Sequence, residues 1–254
     1  MASYKGIVCV TGATSGIGNA VARRFLKDGW KVVAIGRRRE RLDDLAKEYG
    51  EAVLPLPLDV TDRNAVKKAF SSLPAAFLPL DVLVNNAGGA FGLDTAQDAS
   101  LDDWEGMVDV NVKGLLYCTK AVVAGMAERG KGHIVNIGSV AAFTAYRGAN
   151  VYGATKAFVQ QLSRNLRSDL HGTGVRVSNL EPGLVQSDFS LVRLKDEAKA
   201  EAVYADCEPL QPEDLADLVS YIVNAPAHVN INKVEIMPVC QSDVGTHIFK
   251  EPKQ

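Results

Sequence analysis

The stretch Ile7-Val8-Cys9-Val10-Thr11-Gly12-Ala13-Thr14-Ser15-Gly16-Ile17-Gly18 decides the fold. The β-branched run from Ile7 to Val10 reads as a buried strand. It passes directly into a glycine-rich turn, and a helical pattern follows through Val21, Phe25 and Leu26. Glycines at such a junction let backbone N–H groups and a helix N-terminus approach a pyrophosphate, where the helix dipole favours negative charge. The spacing is Gly-x-x-x-Gly-x-Gly, not the commoner Gly-x-Gly-x-x-Gly. A tight turn is the simpler alternative, but between a first strand and a first helix the cluster reads as a nucleotide cradle. Its candidate contacts are Gly12, Thr14, Ser15, Gly16, Ile17 and Gly18.

Beyond Gly29 the run Lys31 to Ile35 reads as a second strand and ends at Gly36-Arg37-Arg38-Arg39. An NAD-binding chain would usually carry an acidic residue here for the ribose 2′-hydroxyl. Guanidiniums suit bidentate phosphate binding, so a 2′-phosphate and hence NADP is expected. Arg37 is the first candidate and Arg38 the second, with Arg39 left to solvent. Ala52 to Leu58 is a third strand ending at Asp59-Val60, where Asp59 is placed to accept from an adenine amino group unless it serves only the turn. Asp62 caps the next helix.

Asp81 to Val84 is a fourth strand and leads into Asn85-Asn86-Ala87-Gly88-Gly89. Asn86, Ala87 and Gly88 either touch the cofactor or tie neighbouring strands together. Leu101 opens a helical region reaching about Glu128, with Asn111, an indifferent helix former, inside it. His133 to Gly138 is a fifth strand with Ser139 at its end, and Tyr152 starts a helix to about Leu170. Val175 to Leu180 is a sixth strand, turned sharply by Glu181-Pro182-Gly183. Residues 184–206 form a mostly helical excursion that resembles a lid, and Lys233 to Met237 is a seventh strand.

Strands and helices alternate with no linker or repeat. A single doubly wound α/β domain of Rossmann type is therefore expected over residues 1–254, with a seven-stranded parallel sheet flanked by helices. Right-handed crossovers put all strand carboxyl ends on one side, so Gly12, Arg37, Asp59, Asn86, Ser139 and Pro182 converge on one crevice. Tyr152 and Lys156 stand four apart on one helical face beside it. A Lys about 6 Å from a phenol, at a dielectric of about 20, supplies roughly 3 kcal/mol of the roughly 4 kcal/mol needed to move a Tyr from about 10 to about 7.

Of 254 residues, 47% are hydrophobic and 23% charged, as in a globular protein with a sizeable core. The 28 basic and 30 acidic residues leave a net charge of −2, which suggests neither nucleic acid nor a membrane surface as partner. The 4 cysteines are scattered without a Cys-x-x-Cys pair, arguing against zinc and a disulfide framework. Met1 to Lys5 holds no signal-peptide core, so a cytoplasmic location is expected.

Taken together, TGATSGIG, NNAG, Asn111, Ser139, YGATK and EPG resemble the short-chain dehydrogenase/reductases over nearly the whole chain. The resemblance implies that Tyr152 is the acid/base, that Lys156 holds the nicotinamide ribose and lowers the Tyr pKa, and that Ser139 hydrogen-bonds the substrate oxygen. It also implies that Asn111 supports a proton-relay water, and that Pro182, Gly183, Val185 and Ser187 line the nicotinamide with Asp59 and Val60 near the adenine. The family's Pro-Gly-x-Val-x-Thr pattern here ends in Ser187, which keeps a hydroxyl for the carboxamide. GRRRERL, GANVYGATKAF, DLHGTGVRV, EPGLV with DFSLVR, and PAHVNINKVEIMPV are similar to the NADP-dependent 3-hydroxy acid dehydrogenase branch. That branch includes serine and L-allo-threonine dehydrogenases, and it implies a homotetramer acting on small hydroxy acids or semialdehydes. Such a substrate needs a cation for its carboxylate, for which Arg147 and Arg193 are the candidates, with Arg193 preferred. Two alternatives stay open: an NADPH-dependent reductase of other ketones, aldehydes or 3-oxoacyl thioesters, and a non-catalytic NADP(H)-binding sensor.

Overall fold

The computed structural model describes residues 4–243 and 247–250. Residues 1–3, which carry much of the targeting reading, lie outside them. One seven-stranded sheet runs in the order β3-β2-β1-β4-β5-β6-β7. Its strands are β1 (Ile7–Thr11), β2 (Lys31–Gly36), β3 (Val53–Pro57), β4 (Val82–Asn85), β5 (Gly132–Ile137), β6 (Val175–Pro182) and β7 (Lys233–Ile236). Every pairing is parallel. The expected doubly wound fold is what forms.

The continuous apolar run of β1 has a direct packing cause. Side chains alternate across a strand, so Val8 and Val10 face one side while Cys9 faces the other. Val8 and Val10 meet Val21 and Phe25 of α1 (Gly16–Lys27) and Leu215 and Val219 of α9 (Pro212–Asn224). Cys9 meets Val66 of α3 (Arg63–Ser71) and Cys118 and Met126 of α5 (Leu115–Glu128). Helices cover both faces, so no strand face is free to be polar. Phe25 alone, fully buried, contributes about 2–3 kcal/mol of transfer free energy.

Local signals end the elements. The Asp62 carboxylate accepts from the Asn64 and Ala65 backbone N–H groups and starts α3, as expected. Pro212 opens α9, where the Asp214 carboxylate accepts from the Gln211 N–H at 2.8 Å. The remaining helices are α2 (Arg39–Tyr49), α4 (Leu101–Val108), α6 (Asn150–Asp169), α7 (Phe189–Leu194) and α8 (Glu197–Tyr204). Most strand ends shift by one or two residues from the sequence reading, and two differences bear on the site. The sixth strand continues through Glu181 to Pro182, paired opposite Ile236, and the chain leaves the sheet only at Gly183. The long helix from Leu101 is interrupted by a π-helical turn, Asp109–Gly114, which contains Asn111.

His133 is buried in β5 with Nε2 2.8 Å from Ser178 Oγ, and burial followed by the Arg176 charge pushes its pKa down to about 3. Below the ordinary pKa of 6.5 the unfolded chain therefore binds a proton that the folded chain refuses, and stability falls as pH drops from 6.5 toward 3. By pH 5 the loss is on the order of 2 kcal/mol. His133→Gln removes this slope. Parallel Tm-against-pH curves for the two proteins would refute the assignment.

Candidate active site

The parallel sheet brings the turns after β1, β2, β4, β5 and β6 to one edge, and α6 crosses it with Tyr152 and Lys156 both buried. Lys156 Nζ donates to the Ile137 carbonyl at 2.9 Å, which fixes it at the end of β5. It lies 5.9 Å from the Tyr152 ring centroid. Burial lowers its pKa to about 8. The Tyr152 phenol moves the opposite way: burial pushes it up to about 12, while a hydrogen bond with Ser139 and the Arg193 charge pull it down. The sequence reading counted the Lys contribution against a phenol starting near 10 and left burial out. Desolvation outweighs what one cation about 6 Å away returns, roughly 3 kcal/mol or two pKa units.

Ser139 is held by its own turn: its Oγ accepts from the Ala141 N–H at 3.1 Å, and it stands against Tyr152. The Asn111 side chain is fully engaged with protein groups. Its Oδ1 accepts from Gly89 N at 2.9 Å, and its Nδ2 donates to Gly89 O at 2.8 Å and to Thr155 Oγ1 at 3.0 Å. The amide thus clamps the turn after β4 to α6, one residue from Lys156. A π-helical turn, a feature frequent at functional sites, presents it there.

Two arginines were proposed for a substrate carboxylate, and the structure separates them. Arg147 is exposed. Arg193 is buried at 8% exposure, with its guanidinium carbon 5.4 Å from the Tyr152 ring centroid. Its Nε donates to Gly92 O at 3.0 Å, Nη1 to Tyr146 Oη at 2.9 Å and Nη2 to Gly148 O at 3.2 Å. A guanidinium carries five N–H donors, so hydrogens on Nη1 and Nη2 remain free. Tyr146, next to the exposed Arg147, was missed because only the fold shows which neighbour turns inward. Phe189 was also missed; its ring packs 5.7 Å from that of Tyr152.

The cofactor candidates divide in the same way. Gly12 has φ +70, and a Cβ there would lie 2.7 Å from Asn86 Nδ2. At Gly18 a Cβ would stand 2.3 Å from both Asn86 Nδ2 and Gly12 O, so the helix start can approach the turn only without a side chain. Asn86 donates through Nδ2 to the Thr11 and Gly12 carbonyls, and Thr11 Oγ1 accepts from Asn86 N and Ala87 N. Of the two readings of this turn, the strand-tying one describes the Asn86 side chain. Gly88 lies under Asn111 and Lys156. Asp59 is exposed, and its Oδ1 accepts from Thr61 N and Thr61 Oγ1 at 2.9 and 2.8 Å, which is turn chemistry; Val60 packs over Gly114.

Of the arginines after β2, Arg38 is the one held against the glycine turn. Arg38 donates through Nε and Nη2 to Thr14 Oγ1 at 3.1 and 2.9 Å and through Nη2 to Ser15 Oγ at 2.5 Å. Arg37 is exposed, and Arg39 pairs with Asp43 at 3.2 Å on the helix surface. Arg37, Arg38, Thr14 and Ser15 make a donor cluster after β2, with Asp188 Oδ2 of the lid 3.8 Å from Arg38 Nη1; no carboxylate stands on the strand end itself, which fits a phosphorylated ribose. Ile17 packs against the core. On the far side Ser187 sits over Gly16, 3.3 Å from where its Cβ would be, while Val185 bridges to Leu210. Gln241 Oε1 accepts from Leu184 N at 2.7 Å, just past Pro182 and Gly183, a support with no signal in sequence.

A doubly wound sheet, a glycine cradle and a Ser–Tyr–Lys group at the strand ends define an oxidoreductase site of the short-chain class. The short chain dehydrogenase family profile matches residues 6–230, and the chain belongs to that family. It is 55% identical over 246 residues to the NADP-dependent 3-hydroxy acid dehydrogenase YdfG of Salmonella typhi, covering 96% of this chain and 99% of that protein. It is 47% identical over 247 residues to a serine 3-dehydrogenase of Agrobacterium fabrum, covering 97% and 99%. The closed form of a serine dehydrogenase complexed with NADP⁺ superposes with a TM-score of 0.93 at 53% identity, covering 96% and 100%.

Proposed function

We propose that this chain is an NADP-dependent dehydrogenase that oxidises the C3 hydroxyl of small 3-hydroxy acids, such as serine or 3-hydroxypropionate, or reduces the corresponding semialdehydes. The observation that carries the reading is the buried Arg193 guanidinium stacked on Tyr152. A fixed cation beside the proton-transfer group is what an anionic substrate requires, and its free Nη hydrogens can take a carboxylate in bidentate fashion. Similarity to 3-hydroxy acid and serine dehydrogenases supports the same class.

NADP, when bound, supplies the nicotinamide that accepts or returns the hydride, and in its oxidised form a positive charge. The protein's own groups do the rest. Ser139 Oγ and Tyr152 Oη hold the substrate oxygen, and Tyr152 takes its proton during oxidation. Lys156, mostly protonated at neutral pH with a pKa of about 8, would hold the ribose and add its charge to that of the cofactor in stabilising the phenolate. Asn111 acts through Gly89 and Thr155 to hold the turn and helix that carry the site. Residues 184–206, with α7 and α8, form a lid that delivers Arg193 and excludes water.

Activity on serine and 3-hydroxypropionate should exceed that on neutral alcohols and 3-oxoacyl thioesters, measured as kcat/KM with NADP⁺ or NADPH. Preference for a neutral substrate would overturn the assignment. Arg38→Ala is expected to raise the Kd for NADPH about 10–100-fold, the worth of one to two charge-assisted hydrogen bonds. Binding of NADH should change little. Equal losses for both cofactors, by fluorescence titration, would remove Arg38 from the 2′-phosphate site.

The reading includes a cytoplasmic homotetramer. Leu116 on α5, Phe158 on α6 and Tyr221 on α9 are exposed apolar side chains, in support of subunit contacts. The described cysteines are free, and no described helix is long and apolar enough to cross a membrane. Light scattering should return four chain masses, and a monomer would remove this part.

A further inference from the structure

The four cysteines fall into two unlike pairs. Cys9 and Cys118 are buried in the sheet core, where burial holds Cys9 well above its ordinary range and pushes Cys118 up to about 12. Neither is placed to react. Cys207 and Cys240 are partly exposed and come from distant parts of the chain. Cys207 follows α8 at the far end of the lid, and its Sγ donates to Tyr204 O at 3.4 Å. Cys240 follows β7, and its Sγ donates at 3.4 Å to the carbonyl of Glu208, the residue next to Cys207. Cys240 Sγ thus lies against the backbone one residue from Cys207, close enough for its presence to raise the Cys207 thiol pKa.

The chain around Cys240 also grips the excursion at other points. Gln241 holds Leu184 at its start, and Lys250 Nζ donates to Ala202 O of α8 at 3.0 Å. Phe249 N donates to Cys240 O at 2.8 Å, which joins these grips into one unit. A covalent bond here would therefore connect the lid to the segment that supports the cofactor side of the site.

We propose that Cys207 and Cys240 are a modification site, forming a reversible disulfide that ties the end of the lid to the C-terminal segment. The proposal stands whether or not the substrate reading holds. The oxidant class is a small-molecule disulfide. One protein thiol loses its proton and its thiolate attacks a reagent sulfur, breaking the reagent's S–S bond, releasing one small thiolate and leaving a mixed disulfide. The second protein thiolate then attacks the protein sulfur of that bond and releases the other small thiolate. The protein loses two hydrogens, and the reagent is reduced to two thiols. Burial, and then Cys240, hold Cys207 above its ordinary pKa, so exchange is slow at neutral pH and quickens as pH rises.

The test treats the full chain with oxidised glutathione at mildly alkaline pH, alkylates the remaining thiols and maps the peptides by mass spectrometry. The expected product is a peptide pair joined at Cys207 and Cys240 with a mass lower by two hydrogens, reversed by dithiothreitol and absent from Cys207→Ser and Cys240→Ser. Amide exchange of residues 184–206 should be slower in the oxidised form. Separate glutathione adducts on the two residues, unreacted thiols, or unchanged amide exchange in a cross-linked product would each overturn the proposal. Both serine variants are expected to keep wild-type kcat under reducing conditions, which separates this outcome from failure of the functional reading.

Discussion

Tyr152→Phe is expected to lower kcat by a factor on the order of 10²–10⁴ while NADPH binding stays within a few-fold of wild type. The effect is that large because no other side chain can take the proton from the same place. The ring of Phe keeps the contact with Phe189 and the stack under Arg193, so the substitution removes the hydroxyl and little else. The electrostatics argue for a group that works only in the assembled site. With the Ser139 hydrogen bond and the Arg193 charge already pulling it down, the phenol sits at about 12, about five units above neutrality and worth about 7 kcal/mol. The positive nicotinamide, when bound, adds to the Lys156 ammonium, 5.9 Å from the ring centroid, in bringing it down. Oxidation should therefore rise with pH through an apparent pKa that belongs to the Tyr–Lys pair. Steady-state kinetics and fluorescence titration check both halves. A variant that retains more than about a tenth of wild-type kcat would rule out Tyr152 as the proton acceptor.

Arg193→Met is expected to lower kcat/KM for 3-hydroxy acids by about 100-fold, equivalent to roughly 2.7 kcal/mol, mainly through KM. Methionine keeps an apolar stem against Tyr146 and Tyr152 but carries no donor. Arg193 also ties the lid to Gly92 and Gly148, so its loss loosens that closure for every substrate. A neutral alcohol measures this common cost, expected within about threefold. A parallel fall for acid and alcohol would show that Arg193 only holds the lid and leaves the carboxylate without a partner. Arg193→Lys should recover part of the acid activity, since the charge returns without the planar fork.

These expectations draw on two kinds of information. Tyr152 and Lys156, the Gly12–Gly18 turn and the apolar strands were legible in the chain because local rules govern them. A four-residue spacing puts two groups on one helical face, a glycine permits a positive φ, and an unbroken β-branched run must be covered on both sides. The NADP preference was legible as the absence of a carboxylate after β2, since charge type can be read from sequence. Which guanidinium of Arg37-Arg38-Arg39 folds back onto Thr14 and Ser15 was not, because that depends on where the first turn lies. Arg147 against Arg193 was decided in the same way, by the side chains of Tyr146 and Tyr152 and the carbonyls of Gly92 and Gly148.

By itself the sequence determined the alternation of elements, and through it the single edge on which Gly12, Arg37, Asp59, Asn86, Ser139 and Pro182 were expected. Periodicity and backbone conformation are properties of neighbours along the chain. Only the tertiary structure decided burial and long-range pairing: a phenol raised to about 12, a lysine lowered to about 8, Asn111 spent on Gly89 and Thr155, and two thiols meeting across the lid. The turn that opens the chain sets where charge can be bound. What surrounds each charge, and so its pKa and partner, follows from desolvation by residues far away in sequence.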